Sequence, residues 1–278
     1  MRISSVVTEN IFKSFDGTGI EAELYRAGHQ RGCVVFWPCM GGAFGMYRFP
    51  AGDFTERGYS VVLYNPRGHG ASGGQMSIQT ALKDLDFFIA GSGLKDVPLV
   101  GIGHSAGANA LLQYSSFNAN LDRFFLVAPV LDSRMSLEYL YDCGNIGEFN
   151  DILAMRAGAR DVIDECLGDS RWMDRAYWDE MGLRRYMDAK SGPLMVGTFL
   201  ENLFLPGHNA YGYLREKARV TDVIVAAEDH WYPLEETKRL AADYGFSLTE
   251  IKQARDHFFT RAWKHVWALI LGELSGPR

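Results

Sequence analysis

Five consecutive residues, Gly103-His104-Ser105-Ala106-Gly107, set a hydroxyl between small neighbours. They follow the apolar run PLVGIGH, 98–104, and open the amphipathic stretch 106–114. A serine on a sharp strand-to-helix turn stands clear of its own backbone, at the carboxyl end of a sheet, where it can attack an electrophilic carbon. Its hydroxyl is a poor nucleophile at neutral pH, so it needs a base, and the base needs an orienting acid. Of the seven histidines, His29 lies in an N-terminal turn, His69 in a Gly-rich loop, His104 beside the serine and His208 in a long central stretch. His257 falls between the late apolar run Ser247–Ala254 and the final helical segment, on a loop from which an imidazole can reach Ser105. His265, placed mid-helix, and His230 are the next candidates. Carboxylates on the same rim are Glu228 and Asp229, just past the run VIVAA, with Asp132 after the run ending at Val130 as a rival or a capping residue.

Attack on an acyl carbon also requires backbone N–H groups where the oxyanion forms. Ala106, next after the serine, is expected to supply one. The other is expected from Pro38-Cys39-Met40-Gly41-Gly42, where glycines let the chain approach a substrate closely. Pro38 has no N–H, which leaves Met40 as the expected donor and Cys39 as the alternative.

These groups must be held by regular elements. The segments Ser4–Phe15 and Ile20–Ala27, joined by Asp16-Gly17-Thr18-Gly19, read as a hairpin. Six further strands are expected at Cys33–Pro38, Tyr59–Asn65, Pro98–His104, Arg123–Val130, Asp222–Glu228 and Ser247–Ala254, making eight. Several are nearly continuous apolar, as strands buried on both faces must be. Helical spacing marks Ser77–Ala90, Ala106–Phe117, Leu234–Tyr244 and Phe258–Leu274, and Ile78, Ala81, Leu82, Leu85, Phe88 and Ile89 share one face of the first. Alternation of this kind implies a mostly parallel sheet covered by helices on both sides. The stretch after Val130 is far longer than one crossover needs. Met and aromatic residues recur through it at helical spacing, as in 171–187, so a mainly helical insertion is expected. Met135, Met155, Met173, Met181, Met187 and Met195 fall there; most are expected to pack it onto the core, and a few to line an apolar pocket.

Composition removes other classes. With 278 residues, 47% apolar and 22% charged, the chain can bury a large core. The net charge of −6, with 28 basic residues scattered along the chain, leaves no footprint for nucleic acid. Four cysteines without a CxxC pair point to a reducing compartment, hence the cytoplasm. No apolar run is long enough to span a membrane, and residues 1–15 lack the apolar core of a secretory signal. No metal-ligand spacing or phosphate-binding loop is present, so neither metal nor organic cofactor is expected.

With the serine turn, a late acid and a last histidine in place, the chain resembles the α/β-hydrolase superfamily. Within it, the capped branch of monoacylglycerol-lipase-like and serine aminopeptidase-like hydrolases is the most similar. The resemblance spans 4–130 and 222–274. Asn65-Pro66-Arg67-Gly68-His69-Gly70-Ala71-Ser72 is similar to the family's D-x-R-G-H-G-x-S turn, with Asn65 for Asp. Asp256-His257-Phe258 resembles the G-H-F signature around the base, while Pro38-Cys39 departs from the family's His-Gly. The resemblance implies an eight-stranded, mostly parallel sheet with a mainly helical cap inserted after strand 6. The core would be 1–131 and 216–278, and the cap 132–215. It also implies the chain order serine, acid, histidine, with the acid four residues before a proline, which selects Asp229 ahead of Pro233.

The expected chemistry is then carboxylic ester hydrolysis through an acyl-enzyme. Ser105, Asp229 and His257 are the catalytic residues, and Met40 and Ala106 bind the oxyanion. The partner is a small acyl substrate, with a medium or long chain under the Met-rich cap. Thioester cleavage, acyl transfer and short-peptide cleavage use the same constellation, and a non-catalytic small-ligand binder on this fold is the alternative of another kind.

Overall fold

A computed structural model describes residues 7–8, 11–40, 42–74, 77–143 and 209–275. The expected helical stretch 171–187, the residues Met155, Met173, Met181, Met187, Met195 and His208, and most of the expected insertion lie outside these residues.

The apolar runs form one sheet. Its strands are β1 (Val7–Thr8), β2 (Ile11–Lys13), β3 (Gly19–Tyr25), β4 (Gly32–Trp37), β5 (Tyr59–Tyr64), β6 (Leu99–His104), β7 (Leu121–Val127), β8 (Thr221–Ala226) and β9 (Ser247–Ile251). The expected first strand appears as two pieces, β1 and β2, which pair antiparallel with β3 in one continuous register. Counted as one hairpin arm, they leave the eight-stranded sheet that the sequence implies. The order is β1-β3-β5-β4-β6-β7-β8-β9, parallel from β5 through β9 and antiparallel at the hairpin end.

Strands β4, β5 and β6 are buried along their whole length, which only a sheet covered on both faces allows. Side chains alternate between two cores. Val35 and Trp37 enter one, with α2 (Ile78–Gly91), α3 (Ala106–Tyr114) and Leu240 of α6 (Leu234–Tyr244). Val34 and Phe36 enter the other, with Phe54 of α1 (Ala51–Glu56) and Trp267 and Ile270 of α7 (Trp263–Ser275). The six apolar positions read from the α2 sequence are all buried, and Ser77 caps that helix by accepting the Thr80 N–H at 3.4 Å. Helix α1, too short to show a period, was not expected from the sequence.

Chain order and spatial order part company at β4 and β6. The segment after β4 leads to α1 on one face, and that after β6 leads to α3 on the other. Divergent loops at adjacent carboxyl ends open a crevice, the usual ligand position in such sheets. Pro38–Met40 and Ser105 flank it.

Three further features set the loops around the crevice. Arg67 forks onto buried Asp84 of α2, Nε to Oδ2 at 2.6 Å and Nη2 to Oδ1 at 2.7 Å, and reaches Asp16 of the hairpin turn at 2.7 Å. This ties the 65–74 loop to two elements. The last helix begins at Trp263, not at Phe258 as its apolar spacing predicts. Asp256 Oδ1 takes the N–H groups of Phe258 at 2.8 Å and Thr260 at 3.1 Å, and Phe259 and Arg261 adopt positive φ, so the chain turns before it coils. His265 is therefore in the first turn of α7, not mid-helix. After β7 the chain runs into α4 (Ser133–Asp142), and it re-enters through α5 (Tyr211–Lys217). Asp132 and Asn209 meet there in an isolated antiparallel bridge, and the Ala210 N–H reaches Leu131 O at 2.8 Å. Among the described residues, no helix is long and apolar enough to cross a membrane.

Candidate active site

Ser105 sits between β6 and α3 with φ 57° and ψ −123°, a backbone region that non-glycine residues avoid. Such a conformation costs on the order of 1–3 kcal/mol and persists only where its surroundings impose it. Here its N–H donates to Val127 O at 2.9 Å and its carbonyl accepts from Val130 at 3.3 Å. Both flanking glycines are steric necessities. A Cβ on Gly103 would lie 2.6 Å from Ala108 Cα, and one on Gly107 would lie 2.4 Å from the Pro38 carbonyl oxygen. Gly107 thus lets the N-terminus of α3 press against the loop after β4.

His257 Nε2 is 2.8 Å from Ser105 Oγ, and its Nδ1 is 3.0 Å and 3.1 Å from the two Asp229 oxygens. All three residues are buried. Asp229 Oδ1 also accepts the N–H groups of Trp231 at 2.7 Å and Tyr232 at 3.3 Å. Burial opposes ionisation of Asp229, but the neighbouring His257, through charge and hydrogen bond, and these two N–H groups outweigh it. They hold the carboxyl below its ordinary range. A carboxylate there accepts a hydrogen bond from Nδ1–H, leaving Nε2 free to accept from the serine hydroxyl. The Trp231 ring stacks on the imidazole, centroids 5.3 Å apart.

The other candidates stand elsewhere. His230 and His29 are exposed, and His265 is half-buried on α7. Glu228 is exposed and paired with Arg255. Asp132 Oδ1 accepts the Met135 N–H at 3.1 Å, the capping role open to it from sequence. Met40 and Ala106 line one small cavity with Pro38, Cys39, His69 and Ile78. The Cys39 N–H is already committed to Tyr47 Oη at 2.8 Å. Ala106 is the first residue of α3, where an N–H has no partner within the helix. Among the described residues, no group of three or more His, Cys, Asp or Glu side chains is placed to hold a metal ion.

Two groups around the site were not legible as functional. Tyr47, on the short 3-10 turn Phe44–Tyr47, carries no motif; its only sequence signal is a polar-tipped aromatic just past the glycines of the loop. Asn65, which replaces the family's Asp, donates to Glu21 at 2.7 Å and accepts the Phe44 N–H at 2.8 Å. An amide does both; an Asp there would set a second carboxylate against Glu21.

His104, between the strand and the serine, is fully buried, and burial first, then its neighbour His257, push its pKa down to about 3. An unfolded chain protonates this imidazole near its ordinary 6.5, so between about pH 6.5 and 3 the unfolded state binds the extra proton. Stability therefore falls with falling pH across that window, by up to about 1.4 kcal/mol per pH unit from this group. Depression of Asp229 adds a loss only lower, where its carboxylate protonates. Urea unfolding at pH 7, 6 and 5 should show a shallower fall for His104→Gln than for the natural chain; equal slopes would refute the assignment.

The sheet order, the crevice and the serine on its strained turn are those of the α/β-hydrolase fold. Residues 28–154 match the sequence family described as serine aminopeptidase, S33. No curated protein matches the chain. Similar solved structures include a carboxylesterase of the thaumarchaeon Nitrososphaera gargenis, with TM-score 0.67, 15% identity, and coverage of 95% of this chain and 97% of that one. A hydrolase from Pseudomonas aeruginosa PA01 gives TM-score 0.66 at 16% identity, over 99% and 100% of the two chains. An esterase from Exiguobacterium antarcticum gives 0.62 at 15%, over 97% and 100%. At these identities the likeness is one of fold.

Proposed function

We propose that the protein is a serine hydrolase that cleaves carboxylic esters through an acyl-enzyme. The observation that carries this reading is the continuous line Ser105 Oγ, His257 Nε2, His257 Nδ1, Asp229 carboxylate, at 2.8 Å and 3.0 Å, on a strained turn in the sheet crevice. Ser105 attacks the acyl carbon while His257 takes its proton, and Asp229 fixes the imidazole tautomer and stabilises the imidazolium. The N–H groups of Met40 and Ala106 receive the oxyanion. His257 then protonates the departing alcohol, and water, activated by the same imidazole, releases the acid.

Ester substrates are preferred to amides on the names of the carboxylesterase and esterase that share the fold. Residues 132–215 form the inserted cap in this reading, supported by the bridge between its first residue, Asp132, and Asn209 near its far end. Medium or long acyl chains are proposed from the Met and aromatic content of that segment. The test is a side-by-side assay on p-nitrophenyl esters from two to twelve carbons, acyl-CoA thioesters and amino-acid amides. Turnover of the esters with an optimum above four carbons is expected. Turnover of amides or thioesters with none of the esters would overturn the ester assignment.

A further inference from the structure

His104 lies inside the serine motif, yet the mechanism above gives it no task. Its buried imidazole has two polar partners. Nε2 is 2.9 Å from the backbone carbonyl of His257, which can only accept, so Nε2 carries the proton. Nδ1 is 2.8 Å from Tyr47 Oη and, in the neutral ring, must accept from it. Tyr47 Oη in turn accepts the Cys39 N–H at 2.8 Å. The direction of every proton in this chain follows from the fixed donor at one end and the fixed acceptor at the other. Trp263 closes its side, edge-on to the rings of Tyr47 and His104 at 4.8 Å and 5.2 Å.

We infer that Tyr47 and His104 are positioning residues that tie the loop carrying Met40 to the loop carrying His257 through one directed hydrogen-bond chain, anchored beside Ser105. The inference rests on the serine hydrolase reading. It accounts for three observations together. A histidine directly before the serine is kept neutral by its surroundings. The Cys39 N–H is occupied, which leaves Met40 as the donor that faces the substrate from this loop. The base, whose side chain is held by Asp229, has its backbone held as well. A chain of this kind acts on the relative placement of oxyanion donor and base, so its loss lowers the chemical step and leaves substrate binding alone.

The test is Tyr47→Phe, which removes one oxygen and keeps the ring in its aromatic packing. Steady-state ester kinetics should show kcat down by about tenfold or more, with KM within about twofold. His104→Leu should lose at least as much. His104→Gln, whose amide nitrogen can still donate to the His257 carbonyl, should recover part of it. A second readout does not depend on turnover. Two-bond proton–nitrogen NMR of the imidazoles should show His104 as the neutral Nε2–H tautomer from pH 5 to 8, and Tyr47→Phe should shift both His104 and His257. An active natural enzyme whose Tyr47→Phe variant keeps its kcat, or an Nδ1–H tautomer at His104, overturns this inference alone. A natural chain inert towards every ester, thioester and amide, but showing the expected tautomer, overturns the hydrolase reading on which it rests.

Discussion

Ester turnover is expected to fall on the order of a millionfold in Ser105→Ala, with the protein still folded. Loss of an acyl-accepting serine leaves only binding and oxyanion stabilisation, and the drop from such a loss is about that size. Folding should survive because the strain at position 105 belongs to the backbone. Its φ of 57° is imposed by the Val127 and Val130 hydrogen bonds and by the contacts at Gly103 and Gly107, none of which involves the hydroxyl. Alanine has the same Cβ and meets the same constraints. The hydroxyl bonds to His257, so the substitution removes one contact in a crevice and opens no core cavity. Kinetics on the best ester substrate, beside a thermal melt, check both halves. A variant that retains even a hundredth of the natural kcat would place the nucleophile elsewhere.

Asp229→Asn should cost about 10⁴-fold in kcat, by a route that depends on which carboxylate oxygen does what. Oδ1 accepts the backbone N–H groups of Trp231 and Tyr232. An asparagine must keep its carbonyl oxygen there, because turning its NH₂ towards two N–H donors would leave all of them unpaired. The amide nitrogen then falls where Oδ2 stood, 3.0 Å from His257 Nδ1, and donates to it. His257 is driven to the Nε2–H tautomer, which points a proton at Ser105 and cannot accept one. The melting temperature should move little, since size and shape are kept. If Asp132 or Glu228 oriented the base instead, Asp229→Asn would be nearly neutral, and the corresponding change at Asp132 or Glu228 would carry the loss.

How far the sequence showed this arrangement depends on the range of the interactions involved. Strands such as β4 and β6 were legible because burial on both faces forces an uninterrupted apolar run. The serine turn was legible because sterics demand glycine at 103 and 107, and both demands fall within five residues. His257 could be placed by its loop, but the late start of α7 could not. The apolar spacing of 258–274 continues through the turn, and it is the Asp256 side chain that stops the helix from starting earlier. Tyr47 was invisible for a related reason. Its partners are 8 and 57 residues away along the chain, and no periodicity or motif marks a bond of that span. The replacement of Asp by Asn at 65 read as a departure from the family turn, and its reason, the carboxylate of Glu21, emerges only when the hairpin folds against the loop.

The central claim is that Ser105 is the residue that becomes acylated, and the most direct measurement is covalent. The natural chain and Ser105→Ala should be treated with a fluorophosphonate probe, digested and mapped by mass spectrometry. The account predicts a single adduct on the natural chain, on the peptide that contains Ser105, and no adduct on the alanine variant. An adduct that persists in Ser105→Ala, or one that maps to Cys39 or another residue in the natural chain, would contradict it.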